Sequence, residues 1–402
     1  MKKRLLILGG SHFQVPFIMK AKELGAYVGV VDIKKDAPGK TFADVFYNCS
    51  LLEKERVLEI ATSFIADGIA VGTCEVGVNT AAYVAEKLSL PFLSRAVARC
   101  ATNKIQMIEA FYNHGVAAPK YEVLRPGDTV KTELSFPVII KPADKSASRG
   151  ICYVAGPDDL ERAVTSSMAI SDSKEVIVQE YLEGPEISIE LGVEADTPIA
   201  LQVTDKITNG APHYVEIGQS QPASLSETVI KEAVNLACSA AKAVGLENCA
   251  GHAEMKITPS GLKMIEIAGR MGGHYIDADL LENSTGWRLQ EAIIKYALGE
   301  EFKILKNAAK GPTAMKCILS KQGTVLEIHG LEKARNIEGI IKVVISCKPG
   351  DTLRNTISNN DLVGYVVARA DSTEKALSIC DQALEQIIIS YSKNYTIIVA
   401  NN

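Results

Sequence analysis

The sequence lacks the short motifs that identify several common nucleotide and metal sites. Neither GxGxxG nor GxxxxGK[ST] occurs, so the chain carries no dinucleotide fingerprint and no Walker loop. The nine cysteines are scattered without a CxxC or a His-rich spacing, which disfavours a disulfide framework or a zinc site. Reduced thiols in a cytoplasmic protein are therefore expected.

Basic charge and long apolar runs are also missing. The net charge of −5 gives no basic field for nucleic acid, so no nucleic-acid partner is expected. No apolar run approaches the roughly 18 residues of a membrane span, and the LLIL of MKKRLLILGG is too short for a signal peptide. With 402 residues and 47% hydrophobic composition, the chain predicts a globular protein of two or three domains without a membrane partner.

The first hundred residues alternate short apolar strands with helical stretches. RLLILGG, AYVGVVD and IAVGTC indicate strands, and QVPFIMKAKELG and LEKERVLEIATSFIADG indicate helices, which predicts parallel βαβ units. Asp32, at the end of the second strand, suggests a nucleotide-binding Rossmann domain. The loop GGSHFQ leaves two roles open for Gly9, Gly10 and Ser11, namely phosphate binding or a plain strand-to-helix turn.

A hairpin with two facing carboxylates is predicted further along the chain. HAEMKIT and LKMIEIA flank the turn PSG. Alternation places Glu254 on one face with His252 and Lys256, and Glu266 with Met264 and Ala268. Pairing across the turn puts the two glutamates side by side, where like charges repel unless a cation lies between them. A solvated acidic face and a nuclease-like metal pair are the alternatives.

Two further segments carry residues suited to a nucleotide. FPVIIKPADKSASRGI ends a buried strand at Lys141 and continues into a small polar loop that could wrap phosphate oxygens. In VIVQEYLEGPEISIELG, a hinge over residues 179–182 could meet the edge of an adenine, and Glu186 could accept ribose hydroxyls. An exposed loop and a solvated acidic turn would look the same in isolation.

The order of these segments resembles the ATP-grasp superfamily of carboxylate–amine ligases, which includes L-amino acid ligases, phosphoribosylglycinamide synthetase and biotin carboxylase. The similarity covers almost the whole chain. It implies a mixed α/β and α+β fold with three parts: a Rossmann-like pre-ATP-grasp domain (1–100), an ATP-grasp domain (101–304) with a mobile lid over about 116–180, and a small α+β C-terminal domain (305–402). In the last part, AMKCILS, IIKVVIS and VGYVVARA indicate strands, and DSTEKAL begins a helix capped by Asp371 or Ser372.

The resemblance assigns roles residue by residue. By this resemblance, the segments TNKIQM and VIIKPADKSASRG supply two lysines that bind the nucleotide, and the second segment also supplies the loop over the phosphates. The segment QEYLEGPE supplies the adenine hinge and the acid that binds the ribose. The segments HAEMKI and IEIAGR supply the carboxylates that bind Mg²⁺, for which Mn²⁺ is a possible substitute. The implied ATP-binding residues are Lys104, Lys141, Ser146, Gly150, Gln179, Glu180, Tyr181, Leu182 and Glu186. The implied metal ligands are Glu254 and Glu266, and the implied catalytic residues are Arg270, Lys141, Ser148 and Arg149.

Substrate residues are implied by two further segments. APHYVEIGQSQPASL is similar to a substrate-facing stretch of L-amino acid ligases, with Glu216 retained and Gln219 where His is usual. Arg270, Gly272 and Gly273 would face the reacting carboxyl group, since glycine lets the backbone approach closely. Of the nearby histidines His213, His252 and His274, each is expected to be structural rather than catalytic. Ala268 departs from the family, which often has Asn there as a metal ligand.

The implied activity is amide or peptide bond formation from ATP, a small carboxylate and a small amine, through an acyl phosphate, in a homodimer. A purine-pathway ligase that joins phosphoribosylamine to glycine is the alternative within the family. A nicotinamide-dependent oxidoreductase would explain Asp32 but leaves Lys141, Glu254 and Arg270 without a role. A non-catalytic nucleotide sensor would not need both acids and the arginine.

Overall fold

The computed structural model describes residues 2–146, 148–210 and 215–392. The chain divides into two compact units, one of residues 1–203 with 225–308, and the other of residues 204–224 with 309–402. Within the described ranges, no helix combines the length and the apolar character that a bilayer crossing requires.

The first unit begins with a parallel sheet flanked by helices. Its elements are β1 Arg4–Leu8, α1 Val15–Glu23, β2 Tyr27–Asp32, β3 Val45–Asn48, α2 Lys54–Ser63, β4 Gly68–Val71, α3 Val78–Leu88, α4 Arg95–Cys100 and α5 Lys104–Asn113. The strand order is β3-β2-β1-β4, with all neighbours parallel. The predicted βαβ units are confirmed, and β3 is an additional strand. Residues 5–8 of β1 are fully buried because helices cover both faces of a parallel sheet.

An antiparallel four-stranded sheet follows. Its elements are β5 Tyr121–Leu124, β6 Val138–Pro142, β7 Cys152–Val154, α6 Leu160–Ile170 and β8 Val176–Glu180, in the order β5-β8-β6-β7. A separate apolar cluster lies between this sheet and α6, built around Val138, Ile140, Val164 and Val178. This segment coincides with most of the predicted lid.

The rest of the first unit contains the predicted hairpin. Its elements are β9 Glu186–Glu194, the start of β10 Thr197–Thr208, α7 Glu227–Val244, β12 Cys249–Thr258, β13 Gly261–Ala268, a π-helix Ile276–Leu281, α8 Glu282–Thr285 and α9 Leu289–Ala297. Between β10 and α7 the chain forms β11 Glu216–Gln221, which belongs to the second unit. The strand β12 pairs antiparallel with both β13 and β9. Helix α7 packs on β9, β12 and β13 through a row of fully buried alanines, Ala233, Ala237, Ala240 and Ala241.

The second unit is an α+β arrangement, as expected for the C-terminal part. Its remaining elements are β14 Thr313–Ile318, β15 Gly323–His329, α10 Leu331–Arg335, β16 Ile340–Ile345, β17 Thr352–Leu353, β18 Gly364–Arg369, α11 Thr373–Gln386 and β19 Ile388–Ser392. The strands β11, β14, β18 and β16 pair antiparallel in that order, and α11 packs on β14 and β18. Ser372 is the N-cap of α11, since its side chain accepts a hydrogen bond from the Lys375 N–H.

The register of β12 and β13 confirms the predicted pairing and corrects one detail. Glu254 lies directly opposite Glu266. A β-bulge follows Glu254, so Met264 pairs with Met255, and both methionines are fully buried. Because neighbouring residues of a strand alternate, Met264 lies on the face opposite Glu266 and not beside it as the simple alternation predicts.

The alanine row of α7 generates a stability prediction. Replacing Ala237 with Leu should lower the free energy of unfolding by about 1–3 kcal/mol, because the larger side chain has no space between α7 and the strands beneath it. Thermal melting measures the change. Ser239→Leu, on the exposed side of the same helix, is the matched control and should change stability by no more than about 0.5 kcal/mol. Equal melting temperatures for the two variants would contradict this packing.

Candidate active site

The facing carboxylates of β12 and β13 form the centre of the candidate site. Glu254 and Glu266 are paired across the hairpin, and each side chain is partly exposed. The Lys104 ammonium nitrogen lies 3.5 Å from Glu266 Oε2. The positive charge that the pair requires is therefore supplied in part by the protein itself, and the partly exposed oxygens remain accessible to a cation.

Two elements bring lysines to these carboxylates. Lys104 is the first residue of α5, where the Asn103 side chain caps the helix by accepting two backbone N–H groups, and its ammonium donates to the Lys145 carbonyl at 2.7 Å. Lys141 lies in β6 and is buried. Burial lowers the pKa of Lys141 and Lys104 adds to this, while Glu266, Glu186 and Glu254 oppose it. A bound polyanion would favour the charged form of Lys141.

The loop after β6 has its conformation fixed at its far end. Ser148 and Gly150 both have positive φ, at +56° and +76°, and Ser148 and Arg149 are exposed. The Gly150 carbonyl accepts a hydrogen bond from Ser167 Oγ at 2.6 Å, and the Arg149 N–H donates to the Ser146 carbonyl at 3.3 Å. These contacts leave the exposed side chains of the loop turned to solvent and able to meet a ligand.

The predicted adenine hinge follows β8. Gln179 is buried within the lid sheet, opposite Tyr121 on one side and Ile139 on the other. The backbone N–H groups of Glu180 and Tyr181 already donate to the Lys120 and Pro137 carbonyls, at 3.0 and 3.2 Å.

The hinge side chains are likewise engaged with the protein. The Glu180 carboxylate accepts the Lys120 N–H at 3.0 Å, and the Tyr181 ring packs edge-on against Tyr153. The N–H groups of Glu180 and Tyr181 are therefore already used within the protein. Glu186 begins β9 opposite Lys256 and acts electrostatically on Lys141, which places it with the lysines and the hairpin glutamates.

Arg270 follows β13 and is anchored by Glu75, which lies just after β4 of the N-terminal sheet. Its guanidinium donates to Glu75 Oε2 and to the Met271 carbonyl, each at 2.7 Å. Its Nε is buried and has no hydrogen-bond partner among the described residues. Burial opposes the charged form, but Glu75 and Glu266 raise the pKa of Arg270. The guanidinium thus stays charged and keeps one donor for a further acceptor.

A buried ionic cluster lies behind the hairpin. His252 Nδ1 contacts Glu190 Oε1 at 2.5 Å, and its Nε2 lies 3.2 Å from Glu254 Oε1. Burial alone would favour neutral imidazole, yet the two carboxylates raise the pKa of His252 to about 10. A protonated His252 donates to both neighbours and so fixes the orientation of Glu254.

Gly272 is required by the same cluster. A Cβ there would lie 2.7 Å from His252 Nδ1 and 2.8 Å from Glu190 Oε1, and the Gly272 N–H donates to Glu190 Oε2 at 3.2 Å. The structure thus gives Gly272 a packing reason in addition to the predicted approach to substrate. Gly273 has open space around its Cβ position.

Sequence reasoning missed three charged residues near this site: Glu75, Glu190 and Asp277. For Glu190 a signal exists, because EISIEL alternates polar and apolar residues along β9 and so places Glu186, Ser188 and Glu190 on one face. Glu75 has no comparable signal. It contacts Arg270 across 195 residues of chain.

Other predicted residues lie elsewhere or have structural partners. Glu216 and Gln219 belong to the second unit, where they contact each other and Glu216 lies 3.9 Å from Lys206. His213 lies outside the described residues. His274 packs its ring 5.4 Å from that of Phe13.

Asp32 closes the first loop of the parallel sheet. Its carboxylate accepts the Gly10 and Lys34 N–H groups, at 2.7 and 2.8 Å. This bonding favours turn chemistry for residues 9–11 and explains Asp32 without a ribose.

Divalent-cation chemistry fits the carboxylate pair. Among the described residues, no three His, Cys, Asp or Glu side chains are grouped to enclose a metal on their own. Two partly exposed carboxylates are instead the kind of incomplete oxygen set that Mg²⁺ uses when water and phosphate supply the other ligands. Glu254 and Glu266 are the residues that would hold it.

Comparison with known proteins agrees with this geometry. Residues 134–278 match the model of the ATP-grasp domain, and residues 316–392 match the L-amino acid ligase C-terminal domain 2. An uncharacterized protein, y4rH, of Sinorhizobium fredii is 28% identical over 72% of this chain and 61% of its own length. The matches span about three-fifths of the length of the first curated relatives.

Solved structures share the fold over nearly the whole chain. The L-amino acid ligase from Bacillus licheniformis superposes with a TM-score of 0.83 at 20% identity, covering 97% of this chain and 99% of that one. The phosphoribosylglycinamide synthetase from Anaerococcus prevotii gives a TM-score of 0.81 at 22% identity, covering 98% and 100%. This chain therefore carries an ATP-grasp domain over residues 134–278 and an L-amino acid ligase C-terminal domain 2 over residues 316–392.

Proposed function

We propose that the protein uses ATP and Mg²⁺ to join a small carboxylate to a small amine through an acyl phosphate, giving ADP and phosphate. The observation that carries this proposal is the cluster in which Glu254 faces Glu266, with Lys104 3.5 Å from Glu266 and Lys141 buried nearby. Two carboxylates for a cation and two lysines for phosphates are the charges that phosphoryl transfer from ATP requires.

The nucleotide is assigned to the lid and the lysines. Gln179, Glu180, Tyr181 and Leu182 border the base, Glu186 accepts the ribose hydroxyls, and Lys104 and Lys141 bind phosphate oxygens. The loop of Ser146, Ser148, Arg149 and Gly150 covers the phosphates and excludes water, which would hydrolyse an acyl phosphate. Mg²⁺ held by Glu254 and Glu266 would neutralise charge on the transferring phosphoryl group.

Arg270 is assigned to the reacting carboxyl group. Glu75 and the Met271 carbonyl fix two of its nitrogens, so the guanidinium is preorganised and its buried Nε–H is left for an oxygen of the substrate. A carboxylate oxygen attacks the γ-phosphorus of ATP, and ADP leaves. An amine then attacks the acyl carbon, and phosphate leaves. The assignment of Glu216 and Gln219 to the substrate, the three domain boundaries and the homodimer remain predictions.

The match of residues 316–392 to the L-amino acid ligase C-terminal domain 2 favours amino acids as substrates. The similarity to the solved structure of phosphoribosylglycinamide synthetase supports a purine-pathway ligase as the alternative. The test is a phosphate-release screen with ATP, Mg²⁺ and pairs of amino acids, with phosphoribosylamine plus glycine in parallel. Release that requires two amino acids supports amino-acid ligation. Release only with phosphoribosylamine and glycine supports the alternative, and release with no pair contradicts both.

Glu266→Gln should reduce phosphate release by orders of magnitude, because the neutral amide removes a charge that the metal needs. Folding should persist, since the change also relieves repulsion from Glu254. Turnover and thermal melting, each with and without EDTA, provide the measurement. Glu183→Gln, at an exposed position beside the hinge, is the matched control and should keep full turnover. Near-normal turnover of Glu266→Gln would mean that the pair does not hold the metal.

Lys141→Ala should weaken ATP binding at least tenfold, about 1.4 kcal/mol, because a charge-assisted phosphate contact is lost. Calorimetry with a non-hydrolysable ATP analogue measures the dissociation constant. Lys131→Ala removes an exposed lysine from the same segment and should leave the affinity unchanged. Unaltered affinity in Lys141→Ala, or tight binding of NADH by the wild-type protein, would contradict the nucleotide assignment.

A further inference from the structure

Asp277 is a buried carboxylate that the proposed reaction has not yet used. It lies in the first turn of the π-helix Ile276–Leu281 and is 5% exposed, and no described side chain donates a hydrogen bond to either of its oxygens. The Gly272 N–H acts on this carboxylate but donates its hydrogen bond to Glu190 Oε2. A buried carboxylate with unmet hydrogen bonds is destabilising, so such a group is expected either to take up a proton or to meet a ligand.

The neighbours of Asp277 are the residues of the candidate site. The charges of Glu190, His252 and Arg270 all act on it. Glu190 is in turn bonded to the Gly272 N–H, in the loop that joins Arg270 to the π-helix. Asp277 thus lies beside the positioning cluster of the hairpin and beside the guanidinium assigned to the reacting carboxyl group.

The backbone that leads to Asp277 is held in an uncommon conformation. His274 and Tyr275 are consecutive non-glycine residues with positive φ, at +49° and +59°, and both rings pack on Phe13. A π-helix follows directly. Left-handed non-glycine residues and π-helices each cost stability and concentrate at functional sites. The segment that carries Asp277 is therefore held in a backbone conformation that lowers the stability of the fold.

We propose that Asp277 binds the attacking amine and accepts its proton. The inference rests on the proposed function, because it requires an acyl phosphate beside Arg270. An amino group in water is mostly an ammonium ion, which would pair with a buried carboxylate and fill its unmet hydrogen bonds. Asp277 is well placed for this because it lies near the residue that holds the electrophile.

The proton balance of this step is complete. The ammonium transfers one proton to the Asp277 carboxylate, which leaves a neutral amine and a carboxylic acid. The nitrogen lone pair attacks the acyl carbon and forms the C–N bond. The bond between the acyl carbon and the oxygen that bridges to phosphorus then breaks, and phosphate leaves. The second proton of the nitrogen leaves with the phosphate, and Asp277 returns its proton to solvent after the product departs. Burial and Glu190 raise the pKa of Asp277 well above its usual range, although His252, Arg270 and the Gly272 N–H oppose this, and a raised pKa suits a proton acceptor.

A purely structural role makes a different prediction. Asp277 also borders a narrow cavity with Lys20, Trp287 and Arg288, whose volume of about 10 Å³ has room for about one water molecule. If Asp277 only held such a water, removal of its carboxylate would lower the rate equally for every attacking nucleophile. The nucleophile is therefore the variable to change.

Hydroxylamine is the probe, because it is uncharged at neutral pH and traps acyl phosphates as hydroxamates. Asp277→Asn should lower kcat/KM for the amine of the most active pair in the screen by about 100-fold, the lower range for loss of a general base. Hydroxamate formation from the same acid and the affinity for ATP should stay within twofold of wild type. Asp277→Ser, which also lacks the carboxylate and occupies less space, should behave in the same way and covers the case in which the amide does not fit.

Asp279→Asn is the matched control, since Asp279 is a second buried carboxylate of the same π-helix. It should affect both nucleophiles equally. Equal loss with the amine and with hydroxylamine in both Asp277 variants, or no loss with the amine, would overturn the role of Asp277 alone. A wild-type protein that forms neither amide nor hydroxamate would overturn the proposed function, and this inference with it.

Discussion

The repulsion between two facing carboxylates is the constraint around which the site is built. Glu254 and Glu266 are fixed opposite each other by the register of β12 and β13, so they cannot separate without breaking the strand pairing. Lys104 lies 3.5 Å from one of them, and His252 lies 3.2 Å from the other. Each carboxylate thus has one cationic neighbour from the protein and keeps oxygens for a further cation, which links the fold of the hairpin to the proposed chemistry.

The cations are themselves fixed by a second set of acids. His252 is held by Glu190, and Arg270 by Glu75. Removing one partner of such a buried pair leaves an uncompensated charge, whereas the intact network costs little more than an apolar core. The network fixes geometry, because its ion pairs hold β9, the hairpin and the segment after β4 at fixed distances from one another. Preorganised charge of this kind would need no rearrangement in the proposed phosphoryl transfer.

Local patterns were sufficient to predict the parts of the site that depend on neighbours in sequence. The turn PSG and the alternation on either side predicted the pairing of Glu254 with Glu266, and the apolar run VII placed Lys141 near the end of a strand. The β-bulge after Glu254 was not predictable from alternation, because an extra residue leaves no mark on composition, and it moved Met264 to the other face. The contact between Arg270 and Glu75 depends on tertiary packing, which periodicity does not encode.

Fold similarity leaves the substrate to a few side chains. The two proteins whose solved structures match this chain with TM-scores of 0.83 and 0.81 are named for different activities, so the shared fold does not by itself fix the substrate of this chain. The lysines and glutamates assigned to the nucleotide and its metal lie on strands and on the start of a helix, where packing fixes them. Asp277 instead follows two left-handed residues and is the second residue of a π-helix. Side chains on irregular backbone of this kind can be replaced without disturbing the neighbouring strands. Under the proposed function, the segment after Arg270 is therefore the part of the site in which a substitution changes substrate choice with the least effect on the residues assigned to ATP.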